Sequence, residues 1–262
     1  MSQQQRLNAL LELVIVRGSV SIQDIVDELN ISAATARRDL NGLADQRLVT
    51  RTHGGAMALG SGYELPLQYK IPRNADAKVA IAQAVAGMVN FGDVIGLNGG
   101  TTTSEVSRVL GRSEHLIGSG DEPGVTIVTN ALNIAFELSI RPHVKIVVTG
   151  GVARRQSYEL VGPLVGDTIN ALTLDLAILG VDGLSAEFGA TTIHEGEAEV
   201  SRQLATVAKR VIVVADASKI GRSTFARICG LDALDALVTN GPVAGDIGAA
   251  LAASGVEVVV AG

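Results

Sequence analysis

The side chains of this chain that can do chemistry fall into two groups. The first lies on short polar stretches that follow apolar runs: Asn98, Gly99, Gly100, Thr101, Thr102 and Thr103 in NGGTTTSE; Thr129 and Asn130; Gly150 and Gly151; Gly180, Asp182 and Gly183; Glu197; and Lys219 beside Asp216 and Ser218. Glycines let backbone approach a ligand, and threonines at a helix start offer hydroxyls and N–H groups. NGGTTTSE therefore reads either as a phosphate cradle or as plain helix capping. It is neither the GxxxxGKS/T nucleotide loop nor GxGxxG. Asp182 can hold sugar hydroxyls and Lys219 can neutralise a phosphate, while each equally suits a cap or a surface charge. Converging on one edge, these stretches would line a pocket for a small polyhydroxy anion.

Catalysis needs an acid and a base in reach of the substrate. Asp182 and Glu197 are carboxylates of the right kind without an evident partner, so no catalytic residue is assigned. His53, His115, His143 and His194 are dispersed, HEGE at 194–197 lacks the second His of HExxH, and Cys229 stands alone. No metal and no cofactor is expected from that pattern. Cys229 reads as a small buried apolar side chain in a reducing compartment.

The second group is basic. From Ser32, which suits an N-cap, helical spacing puts Ala33, Ala36, Leu40 and Leu43 on one face and Ala34, Arg37, Arg38 and Asn41 on the other. One face packs and the other is free to read base edges or grip phosphates. Thr35 belongs to the same first turn. Upstream, Ile22, Ile25, Val26 and Leu29 form a stripe after Ser21, with Asn30 as a stop. Leu7, Leu10, Leu11 and Val14 form another between Arg6 and Val16. Downstream, 48–51 and 56–58 flank His53, Gly54 and Gly55, whose paired glycines would allow a hairpin reversal. Arg51, His53 and Gly54 would then lie beside the DNA backbone. Three helices and a hairpin make a winged helix-turn-helix.

With 262 residues and 47% hydrophobic composition, the chain has room for two domains. Its net charge is -6. Residues 1–60 hold six Arg and six acidic side chains, while 33–53 hold four Arg against Asp39 and Asp45, a local +2. DNA affinity per subunit would be modest, which favours a homo-dimer or tetramer. MSQQQRL lacks the apolar core of a secretory signal, and no stretch approaches the ~20 apolar residues of a membrane span. A cytoplasmic protein without membrane contact is expected. Residues 59–76 lose periodicity and read as a linker and lead-in segment. From 77 to 262, apolar runs such as DVIGLNG, VTIVTN, VKIVVTGG, DLAILGVDG, RVIVVAD, ALDALVTN and EVVVA alternate with helix-like ones. That predicts an α/β domain with a mainly parallel sheet. The expected fold is thus two-domain, with a winged helix-turn-helix at 1–58 that is mainly α with a small β wing.

ISAATARRDLNGL followed by RLVTRTHGGA resembles the N-terminal domain of the DeoR family of bacterial transcription regulators. The matching positions are Ser32, Thr35, Arg37, Arg38, Asp39, Leu40, His53, Gly54, Gly55 and Ala56, with Ala36 standing where a larger aliphatic residue is usual. VIGLNGGTTT, VTN, VTGG, LGVDG, EAEV and VADASKIG resemble, in order, the strand-end motifs of the family's effector domain. That domain is similar in fold to ribose-5-phosphate isomerase and glucosamine-6-phosphate deaminase. The resemblance implies double-stranded operator DNA as one partner and a phosphorylated sugar or related metabolite as effector. It further implies a repressor of carbohydrate-metabolism genes. Three departures stand out: Asn98 for a common Asp, Ser201 and Arg202 where EAxVK would place a Lys at 201, and an unusually long loop at 111–124. The rival expectation is a sugar-phosphate isomerase or deaminase with an accessory DNA-binding domain. Against it, Leu184 follows Asp182 and Gly183 where the deaminases use a His. Arg154 and Arg155, just after Gly151, are candidates for an extra anion contact but read better as a solvated pair, and are left outside the site.

Overall fold

A computed structural model describes residues 1–59, 65–71, 73–120 and 122–262, with Gln4 through its backbone only. It divides into two compact units, Met1–Leu65 and Pro66–Gly262. Part of the linker read at 59–76, namely 60–64 and 72, lies outside the described residues, as does residue 121 of the loop at 111–124.

In the first unit, α1 (Gln3–Arg17) starts at a Ser2 capping box and stops at Gly18, whose φ of 72° suits a residue without Cβ. β1 (Ser19–Ser21) follows. Ser21 then opens α2 (Ile22–Leu29) through a second capping box with Asp24, and Asn30 ends it in the left-handed region. α3 (Ala33–Asp45) turns Ala36, Leu40 and Leu43 into the core. β2 (Val49–Thr52) and β3 (Gly55–Ala58) form the hairpin. The order β1-β3-β2 gives the wing a third strand that the sequence reading lacked.

Asp39 breaks the pattern usefully. Inside the basic run it points inward, and its carboxylate takes the Arg6 guanidinium at 2.5 Å, tying α1 to α3. Arg37 and Arg38, immediately before Asp39, face outward.

The glycines of the wing act differently from expectation. Neither Gly54 nor Gly55 has a positive φ, so the reversal does not require them. Gly55 is needed for close approach instead, because a Cβ there would sit 1.8 Å from the Val20 carbonyl oxygen.

The second unit carries α4 (Leu67–Lys70), α5 (Ala75–Ala86), β4 (Val94–Leu97), α6 (Thr101–Leu110), β5 (Val125–Thr129), α7 (Leu132–Leu138), β6 (Val144–Val148), β7 (Val152–Ala153), β8 (Leu160–Val161), α8 (Leu164–Ile169) and β9 (Leu174–Gly180). There follow β10 (Gly183–Ser185), β11 (Gly189–Thr192), α9 (Glu195–Thr206), β12 (Ala208–Val214), β13 (Ala226–Cys229), β14 (Ala236–Thr239), α10 (Gly245–Ala253) and β15 (Glu257–Val260). Seven strands form one sheet in the order β15-β14-β12-β9-β4-β5-β6. Every neighbouring pair in it is parallel. Both faces are covered, as period-two alternation demands. Leu176 and Ile178 of β9 join Ile81, Val106 and Ile134 on one side. Ala177 and Leu179 join Val165, Leu204 and Leu251 on the other. The chain builds outward from β4 in both directions, so the strand order reverses between β4 and β9, the place where open parallel sheets leave a crevice.

We predict that Gly55→Ala costs about 1–3 kcal/mol through overpacking, whereas Gly54→Ala, with nothing within 4 Å of its Cβ, stays within about 0.5 kcal/mol. Calorimetry should show the melting transition of the first unit falling only for Gly55→Ala, by about 4–8 °C per kcal/mol.

Candidate DNA-reading face and effector site

The first unit places the basic residues on one side of α3. Ser32 caps the helix, its Oγ accepting from Thr35 N at 3.2 Å and lying 2.9 Å from Thr35 Oγ1. Ala34, Arg37, Arg38 and Asn41 are exposed, while on the opposite stripe Ala36, Leu40 and Leu43 are fully buried and Ala33 is half-buried. His53 and Gly54 occupy the exposed hairpin turn. Arg51 is half-buried and donates to the Gly55 carbonyl, which braces the wing from within.

In the second unit, the parallel strands bring the expected stretches that follow them to one edge of the sheet, and the start of α9, after the antiparallel β11, brings Glu197 beside Arg154 there. The structure sorts them by depth. Gly100, Thr101, Gly150, Gly151, Gly180, Asp182 and Lys219 are half-buried and line that edge. Asn98, Gly99, Thr102, Thr103, Thr129, Asn130, Gly183 and Glu197 lie beneath it. Several of the deeper ones have their polar groups committed. Thr129 Oγ1 accepts from Ala131 N at 3.0 Å. Thr103 Oγ1 donates to the Gly100 carbonyl at 3.3 Å. Gly183 makes room for packing, since a Cβ there would meet the Arg222 carbonyl at 2.6 Å.

Asn98 is the floor of the crevice. Its Nδ2 donates to the Gly180 carbonyl (2.9 Å) and to Ser201 Oγ (3.0 Å), and its Oδ1 accepts from Gly180 N (2.8 Å). Two departures noted separately in the sequence, at 98 and 201, are therefore in contact. A neutral hydrogen bond stands where the family pattern has an acid and a lysine.

The helix start above this floor is open. α6 begins at Gly100, at φ 133°, with no side chain capping its first N–H groups. Those amides and the positive end of the helix favour an anion. Asp182 accepts from Thr192 Oγ1 at 3.0 Å and lies 3.4 Å from Lys219 Nζ. Burial pushes its carboxyl up, but Lys70, Lys219 and the Thr192 hydrogen bond outweigh that and hold it below the ordinary range.

Sequence reasoning missed a buried acid. Glu159, 4% exposed, accepts from Asn130 Nδ2 at 3.0 Å and from the Gly99 amide. Burial, then the neighbouring Glu197, push its carboxyl up to about 8. Glu197 is bound by Arg154, with side-chain exposures of 7% and 15%. Reading Arg154 as a solvated residue is thus corrected: it neutralises a buried carboxylate. Arg155 is exposed, as read. Only Gly fits at 99, where a Cβ would lie 2.2 Å from Glu159 Cγ.

Lys78 was also missed, although it shares a helical stripe with Ile81, Ala82 and Val85, and a lysine there is a readable signal. It is 5% exposed, and its Nζ donates to the carbonyls of Lys70 (3.0 Å), Ile71 (3.2 Å) and Arg73. Burial brings it down to about 8, against the attraction of Asp216. Asn74 Nδ2 donates to Asp216 Oδ1 at 3.1 Å. A cavity of about 520 Å³ opens beside these groups, lined by Asn74, Asp76, Asp216, Ser218 and Asn240 among others.

His194 caps α9, its Nδ1 accepting from Gly196 N at 3.0 Å. Burial raises the Cys229 thiol to about 11, which keeps it protonated. Among the described residues no three His, Cys, Asp or Glu side chains gather as a metal site. No described helix is long and apolar enough to cross a membrane.

The shifted acid gives a pH signature. Unfolded, Glu159 loses its proton near its ordinary 4.5, and folded only near 8. The folded state thus holds the extra proton in that window, and stability falls as pH rises through it, by at most about 1.4 kcal/mol per pH unit. Lys78 acts above it, between about 8 and 10.5, where stability rises with pH. Thermal melts from pH 5 to 8 should therefore show a slope that Glu159→Gln flattens.

Residues 6–61 match the family described as the DeoR-like helix-turn-helix domain, and residues 73–241 match the DeoR C terminal sensor domain. The chain is 34% identical to the HTH-type transcriptional regulator GlpR of Haloferax volcanii over 256 residues, 97% of this chain and 96% of that one. It is 31% identical to the glycerol-3-phosphate regulon repressor of Escherichia coli K12 over 92% of each. It is 30% identical to the HTH-type transcriptional repressor GlcR of Bacillus subtilis over 92% of this chain and 89% of that one. Among solved structures, the ribose 5-phosphate isomerase A of Methanocaldococcus jannaschii matches 56% of this chain and 55% of its own, with a TM-score of 0.41 and 19% identity. With both halves and nearly the full length accounted for, the chain belongs to the DeoR family and is a DNA-binding transcriptional regulator rather than an enzyme.

Proposed function

We propose that the protein represses carbohydrate-metabolism genes by binding double-stranded operator DNA, and that a phosphorylated sugar or related metabolite at the sheet edge switches that binding. The carrying observation is the outward face of α3: Ala34, Arg37, Arg38 and Asn41 exposed together on a helix clamped from behind by Arg6 and Asp39. Arg37, Arg38 and Asn41 are the donors that read bases or hold phosphates, with Ser32 and Thr35 at the helix start and Arg51, His53 and Gly54 in the wing.

Support for an anionic, hydroxylated effector comes from the other unit. The uncapped start of α6 and Lys219 suit the phosphate, with Gly100 and Thr101 at its rim. Asp182, Gly150, Gly151 and Gly180 surround the remaining space. Below them, buried Asn130 Oδ1 and Thr149 Oγ1 meet no hydrogen-bond partner among the described residues, which suits a ligand rich in hydroxyls. The names of the glycerol-3-phosphate regulon repressor and its relatives point to the same chemical class. The protein works in the cytoplasm as a homo-dimer or tetramer, and a coupling of ~1–3 kcal/mol between the two sites suffices to switch occupancy.

Fluorescence anisotropy on DNA from upstream of the gene, with and without a panel of phosphorylated sugars, tests the reading. Arg37→Ala should weaken specific DNA binding about tenfold or more while sparing effector binding, and Lys219→Ala should do the reverse. Loss of folding alone in both variants, or turnover of a phosphosugar, defeats it.

A further inference from the structure

We propose that the outer face of α7, with the adjoining edge of the sheet, is the surface through which two copies of this chain associate. α7 buries Ile134, Ala135 and Leu138 against the sheet. Its opposite side presents Leu132, Phe136 and, just past its end, Ile140, at i, i+4 and i+8; Phe136 is 82% and Ile140 75% exposed. A helix apolar on both sides belongs in a buried setting, since a helix facing water carries polar residues outward.

The patch extends beyond the helix. β6 is one of the two edge strands of the large sheet, and Val148 at its end is exposed. The chain then turns into β7, where Val152 is 69% exposed. Leu132 N donates to the Tyr158 carbonyl at 3.0 Å, joining the start of α7 to the β7–β8 loop and its exposed Tyr158 ring.

Size and charge indicate the occupant. These six side chains expose roughly 600 Å², the upper end for the largest patch on a monomer and most of the ~800 Å² per partner in a standard interface. A two-fold interface sets each patch against its own copy, so any net charge would meet itself. On α7 this is avoided, because its one charged side chain, Glu137, is held by Arg108 at 2.9 Å; the adjoining β7–β8 loop carries one exposed cation, Arg155. A second copy is also what the reading heads need. Residues 1–60 carry no net charge, and helix-turn-helix units read half-sites in pairs. The identity of the partner rests in part on the regulator reading above; the apolar, self-compatible face does not.

The test is sedimentation velocity of the full chain across a micromolar concentration series. Wild type should associate. Phe136→Asp with Ile140→Asp should weaken association about tenfold or more at unchanged circular dichroism. Phe225→Asp, at an exposed apolar position preceding β13, should leave it intact. A monomeric wild type, or an α7 variant with wild-type mass, overturns the proposal. Should the double variant fail to fold, hydrogen exchange on wild type decides: dilution must deprotect 132–140 and 152–158, and unchanged exchange there overturns it. Association through this face without specific operator binding defeats the regulator reading alone. Operator binding by an assembly that the α7 variant does not disturb defeats the interface alone.

Discussion

The carboxamide of Asn98 holds together the part of the fold on which the proposed effector site depends. Parallel strands leave a gap where their order reverses, and here that gap lies between β4 and β9. One side chain spans it, exchanging two hydrogen bonds with the Gly180 backbone and a third with Ser201 on α9. Three elements that carry Gly100, Asp182 and Glu197 are thereby registered against one another. An amide can do this because it both donates and accepts, whereas an ionised Asp at 98 could only accept and would leave the Gly180 carbonyl without this donor. Ser201 completes the neutral arrangement where a lysine would have needed a counter-charge.

Around that floor, charge is buried in balanced groups. Arg154 offsets Glu197, while burial and then the neighbouring Glu197 disfavour ionisation of Glu159. Lys78 spends three donors on three carbonyls of the lead-in segment. That segment is further fixed by Asn74 on Asp216, at the carboxyl end of β12. The stretch that begins the second unit is thus fastened to the same edge of the sheet as the proposed effector residues.

The DNA-reading unit uses the same economy on a smaller scale. Within TARRDL, the helical period sends Arg37 and Arg38 to solvent and Asp39 to the core. There a part-buried ion pair with Arg6 ties α3 to α1. Ser32 fixes where α3 begins and Gly55 lets β1 close on the wing. The back of the reading face is packed by Ala36, Leu40 and Leu43.

Much of this was legible from local pattern. Helix starts at Ser21 and Ser32, the outward set of α3 and all seven strands of the parallel sheet follow from capping and periodicity, which act over a few residues. The small antiparallel strands, α8 and α10 were not legible, because two- to four-residue strands and Gly- or Ala-rich helices leave weak periodic signals. The site divided in the same way. Its strand-end residues were readable because every strand of a parallel sheet ends on one edge. The buried partnership of Arg154, Glu159 and Glu197 was not, since 43 residues separate Arg154 from Glu197 and no local rule pairs them. The role of Gly55 was decided by a strand more than thirty residues upstream. Sequence alone determined the strands of the parallel sheet, the helices of the DNA-reading unit with their faces, and the family; the tertiary structure decided the small strands and which polar groups are buried and with whom, because burial and long-range pairing are properties of the packed chain.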